Sequence, residues 1–120
     1  MPLRPPAGDP EYLAALAQIR PRLVAHQPQL ILVSMGYDAH VDDPLGGKRG
    51  TGMCLSTAGF GHLTDWLLDL VRDTSGGRIA FNLEGGYELD ALGDGIEVTL
   101  ARMLERQRGA RRSPCACSGG

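Results

Sequence analysis

The chain has 120 residues, 17 of them glycine, and a formal net charge of −2, an ordinary globular composition for which one domain is expected. No run approaches the ~20 apolar residues of a membrane span, and Met1 is followed by prolines rather than by the basic and apolar segments of a secretory signal. Residues 101–120 carry five arginines against Glu105, so +4, which leaves −6 for the rest; the basic end is read as a solvated tail, and nucleic acid is not expected as a partner.

The first eight residues are proline-rich and read as a loop or a strand remnant. Asp9-Pro10-Glu11 is a helix start, with Asp9 as the expected N-cap and Pro10 in the first turn. Tyr12, Leu13, Leu16, Ile19 and Leu23 recur at roughly helical spacing, and Pro21 predicts a kink or a restart before the helix ends near Gln27-Pro28. Leu30-Ile31-Leu32-Val33 reads as a strand buried on both faces, as in a parallel sheet. A glycine-rich loop over 36–55 follows; loops of that length are usually functional or disordered. Ser56 is the expected N-cap of a second helix with an apolar stripe of Phe60, Leu63, Leu67, Leu70 and Val71, ended by Gly76-Gly77. Residues 79–83 read as a second buried strand, Glu84-Gly85-Gly86-Tyr87 as a tight turn, and Leu89, Leu92, Ile96, Leu100, Met103 and Leu104 as the apolar face of a third helix. Beyond Arg106 the periodicity is lost. The division expected is therefore one unit over 1–106 and a disordered basic Gly/Ser/Arg/Cys tail over 107–120. Cys54 stands alone and Cys115 and Cys117 lie in that tail, which is no disulfide framework; a cytoplasmic location is expected.

Helix, strand, loop, helix, strand, turn, helix is the order of successive βα units, so the two strands should run parallel in one α/β sheet. Ligands of such sheets bind beyond the carboxyl ends of the strands. Two segments fall there, Gly36-Tyr37-Asp38-Ala39-His40 and Glu84-Gly85-Gly86-Tyr87. An aspartate at that rim can ligate zinc, and a tyrosine can donate to a developing oxyanion. The plainer readings are a turn-forming Asp38, a packing Tyr87, and a loop His40 that is solvated or hydrogen-bonded rather than a ligand. Asp42-Asp43-Pro44 is most simply a turn signal.

The run Leu30 to His40, then Asp43-Pro44-Leu45-Gly46, then Glu84-Gly85-Gly86-Tyr87, with Gly8-Asp9 and Tyr12 ahead of them, resembles the superfamily of zinc-dependent deacetylases. That superfamily includes histone deacetylases, acetoin utilisation proteins and acetylpolyamine amidohydrolases. The resemblance covers about residues 1–106 and implies the C-terminal part of an arginase/deacetylase-like fold, a partial parallel sheet with flanking helices. It implies further that Asp38 is a metal ligand for Zn2+, that Tyr87 is catalytic and polarises the acyl-amide carbonyl, and that Leu45, Gly85 and Gly86 contact the substrate. The substrate class it implies is acyl-lysine or a related acylamine.

Met35 and Tyr37 stand where many members have Ala and Phe. The family's paired histidines and its Asp-x-His metal segment have no counterpart in the chain and would lie upstream of Met1. A zinc site usually takes three protein ligands. The expectation is thus a partial domain, inactive alone, whose partner is the missing N-terminal part of the domain or another chain. The alternative is a non-catalytic fragment or interaction module derived from that fold.

Overall fold

The computed structural model describes residues 3–47 and 50–112; the cysteines at 115 and 117 and the rest of the tail from 113 lie outside it. The first strand, β1 (Ala7–Gly8), runs directly into helix α1 (Asp9–His26). Gly8 rather than Asp9 is the N-cap, and Glu11 Oε2 accepts the Gly8 N–H at 2.9 Å. Asp9 is turned to another task, accepting from the Ser56 N–H at 2.8 Å and the Ser56 hydroxyl at 2.6 Å. Pro21 does not interrupt α1. The carbonyl that proline leaves without a donor belongs to Ala17, which is exposed and can bond water instead. The helix closes at Gln27, which takes up a left-handed φ of 51° and donates its N–H to Val24 O. No residue of α1 is fully buried; Tyr12 and Leu16 lean on the core, while Ile19 stays exposed.

Strand β2 (Ile31–Met35) pairs in parallel with β4 (Ile79–Leu83), register Ile31 to Ile79 through Met35 to Leu83, as the βα order requires. Burial on both faces does not hold. Inward residues Ile31, Val33, Ile79 and Phe81 are half-buried, Leu83 at the inward end of β4 is 55% exposed, and Leu32 on the opposite face is 74% exposed. Among the described residues only one face of this two-stranded sheet is covered, by helix α2 (Thr57–Asp73) and helix α3 (Leu89–Arg112). The glycine-rich segment is not featureless. It holds a 3-10 turn over Tyr37–Ala39, a parallel bridge between His40 and Leu55, and strand β3 (Met53–Cys54), which pairs in parallel with β1.

The N-cap of α2 is Ser56, whose Oγ accepts the Gly59 N–H at 3.0 Å. The predicted stripe is buried throughout, and Phe60, Leu63 and Leu67 join Met35, Tyr37 and Leu55 in the core. In α3 the packing face is offset from the expected one. Leu89, Leu100 and Leu104 are exposed, whereas Ala91 and Thr99 are buried and Leu92 and Ile96 pack on the core. Gly95 and Thr99 lie four apart on one helical face, and their small size lets the Tyr37 ring press against the helix. The helix also continues to Arg112, past the point where its apolar periodicity ends. Arg102 and Arg106 there pair with Asp65, Asp69 and Glu105. Leu100 and Leu104 border a groove of about 730 Å³ whose lining includes Leu68, Val71, Ile79 and Met103. Among the described residues no helix is long and apolar enough to cross a membrane.

Candidate functional site

The parallel ladder does not stop at the strand ends. Glu84 N–H donates to Met35 O at 3.1 Å and Tyr37 N–H to Gly85 O at 2.9 Å, which brings the turn carrying Asp38 alongside the Gly85-Gly86-Tyr87 segment. The Asp38 carboxylate rests on bare backbone: a Cβ on Gly85 would sit 2.5 Å from its Cγ, and one on Gly36 2.7 Å from Oδ1. Glycine is required at 85 by this approach, not by its dihedral angles. Gly86 needs its freedom for both reasons, since its φ is 142° and a Cβ there would meet Leu92 and Tyr37.

Behind Asp38, Tyr37 is buried and fixed on three sides. Its ring lies 5.0 Å from that of Phe60, its hydroxyl donates to Thr99 Oγ1 at 2.9 Å, and Gly95 faces it. Thr99 in turn donates to Gly95 O, so the hydroxyl chain is satisfied. His40 is also buried, and both ring nitrogens are engaged. Nδ1 accepts the Asp42 N–H at 3.2 Å, Nε2 lies 3.2 Å from the Thr57 hydroxyl, and the ring stacks near Phe60. The hydrogen-bonded reading of His40 therefore holds.

Tyr87 and Leu45 are 59% and 54% exposed, with their side chains free at the rim. What holds them is Asp43, a carboxylate only 3% exposed. Its Oδ1 accepts the N–H groups of Leu45 (2.8 Å) and Gly46 (3.2 Å); its Oδ2 accepts those of Tyr87 (2.7 Å) and Glu88 (3.2 Å). Burial opposes ionisation of this carboxyl. The N–H donors of Tyr87, Leu45, Gly46 and Glu88 outweigh it and hold the group below the usual aspartate range. Asp43 is thus far more than a turn former. Local sequence carries no sign of this, because two of its donors stand 44 and 45 residues further on.

As a metal centre the described residues are incomplete. A half-buried carboxylate in a cradle of glycines suits Asp38 to be one ligand, but among the described residues no group of three His, Cys, Asp or Glu could hold an ion.

The profile of the Histone deacetylase domain family matches residues 1–103. Human histone deacetylase 7 is 40% identical over 105 residues, which are 85% of this chain and 10% of that protein. Human histone deacetylase 9 is 41% identical over 106 residues, again 85% of this chain and 10% of its own length. Among solved structures, the crystal structure of the HDA15 HD domain superposes with a TM-score of 0.68 at 28% identity, covering 91% of this chain and 27% of that one. The chain therefore spans about a tenth of the curated relatives it matches and about a quarter of the solved domain.

Proposed function

The chain belongs to the histone deacetylase family, and from that premise we propose that it contributes the C-terminal part of a zinc-dependent amidohydrolase site acting on acyl-lysine or a related acylamine. The observation that carries the proposal is the meeting of two loops at the carboxyl ends of β2 and β4, where the Asp38 carboxylate lies against Gly85, two residues before Tyr87. Asp38 would be one zinc ligand, the others coming from residues outside this chain. A zinc ion there supplies Lewis acidity to the hydrolysis. Tyr87, solvent-facing and hinged on fixed backbone, would donate its hydroxyl proton in a hydrogen bond to the oxyanion formed as the amide carbonyl is attacked. Leu45 and the backbone of Gly85 and Gly86 would border the acyl chain. We place this activity in the cytoplasm.

A second reading, a non-catalytic interaction module, is favoured by the lack of a three-ligand metal cluster among the described residues. Zinc content and acyl-lysine turnover separate the two. They would be measured on the 120-residue chain and on a complete deacetylase domain carrying it as its C-terminal part. The proposed function requires zinc and turnover in the complete domain and neither in the chain alone; a complete domain that holds zinc but never turns over would leave the interaction module.

A further inference from the structure

We infer that Asp43 is a positioning residue for Tyr87, setting the tyrosine and the Leu45 segment in one fixed relation; the inference rests on the deacetylase reading of the site. The division of labour between its two oxygens is the key observation. Oδ1 binds two N–H groups of its own loop, Leu45 and Gly46, and Oδ2 binds two N–H groups of the other, Tyr87 and Glu88. One planar, 3% exposed group therefore spans the rim and joins the two segments whose side chains stay exposed. The placement also puts a carboxylate at the start of α3, whose N-terminal backbone dipoles favour negative charge. Among the described residues Tyr87 has no other anchor of this kind: its side chain is mostly in solvent and the preceding Gly86, at φ 142°, would let the backbone swing.

Only a carboxylate satisfies this geometry. In Asp43→Asn one oxygen becomes an NH2 that cannot accept, so in either amide orientation one pair of N–H donors loses its partner and faces another donor. The Tyr87 hydroxyl would then be displaced from the reacting carbonyl without any change to Asp38. Mispositioning of this sort should lower kcat by roughly 10- to 100-fold.

The test is a mutant cycle in a complete deacetylase domain carrying this segment, with kcat and zinc content measured for the parent, Asp43→Asn, Tyr87→Phe and the double variant. Expected are full zinc in all four, slow turnover in each single variant, and little further loss in the double variant, because Asp43 acts through a hydroxyl that Tyr87→Phe has already removed. Parent kcat in Asp43→Asn beside a slow Tyr87→Phe, or losses that multiply, overturns the inference alone. Parent kcat in Tyr87→Phe overturns the reading of the site and the inference with it. Amide exchange in the parent domain needs no variant: Leu45, Gly46, Tyr87 and Glu88 should open together, and independent opening of the two pairs would contradict a single clamp.

Discussion

The hydroxyl of Tyr37 donates to Thr99 Oγ1 at 2.9 Å across 62 residues of chain, tying the end of β2 to the middle of α3. Asp38 follows Tyr37 directly, so the candidate metal ligand is carried on a residue anchored in the core. Replacing Tyr37 with Phe keeps the ring and loses the bond. Thr99 retains Gly95 O as an acceptor and Thr64 as a neighbour, so the cost should be about 0.5–1.5 kcal/mol. Tyr37→Ala should cost about 3–5 kcal/mol, as other large aromatic truncations do. Urea unfolding midpoints of the two variants measure the difference.

Asp38 and Tyr87 should fail in different ways. In a complete domain, Asp38→Ala should lose zinc and turnover together, since it removes a ligand. Tyr87→Phe should keep zinc and lose on the order of 10²–10³ in kcat, the usual effect of deleting one oxyanion donor. Metal analysis beside steady-state kinetics reads both. Full-rate turnover by zinc-loaded Tyr87→Phe would make Tyr87 a bystander.

Gly85→Ala tests the cradle without touching a polar group. The new methyl would stand 2.5 Å from Asp38 Cγ, and the carboxylate must move to admit it. Zinc affinity should fall while the thermal transition of the domain changes little, because Asp38 lies at the rim and not in the core cluster.

The buried Asp43 carboxylate should impose an acid limb on stability. Its pKa is lowered on folding, as backbone N–H donation outweighs burial, so its stabilisation is complete above the unfolded value of about 3.9 and is lost as pH falls through the lower folded value. Denaturation midpoints should therefore drop below about pH 4, and Asp43→Asn should flatten that drop while lowering the midpoint at pH 7.

The bare face of the β2–β4 sheet should make the isolated chain associate. Leu32 lies on it, 74% exposed and paired with the exposed Ala80, in a sheet whose two edges are open among the described residues. Sedimentation velocity should find oligomers for the 120-residue chain, and Leu32→Lys should shift the distribution toward monomer. A parent chain that sediments as a monomer at high concentration would remove this expectation.

Helix α2 was legible from Ser56 to the paired glycines because its cap and its apolar stripe are written within a few residues of one another. So were both strands of the parallel pair, and the arrival of Asp38 and Tyr87 at the same sheet rim, since the alternation of helix and strand leaves one simple way to connect them. Pro21 and Asp9 misled for a common reason. Local rules place a break and a cap, but an exposed carbonyl tolerates the proline and a partner 47 residues away takes the aspartate. The choice of Gly95 and Thr99 over Leu100 and Leu104 as the face of α3 depends on the shape of Tyr37, which no window of sequence contains. Asp43 shows the same limit most plainly. Its composition and position say turn, and only the folded chain brings the Tyr87 and Glu88 N–H groups to its second oxygen. Short-range pattern determined which segments become helix and strand; which polar groups meet once those segments pack was decided by tertiary structure, because a buried carboxylate must find its donors wherever the fold delivers them.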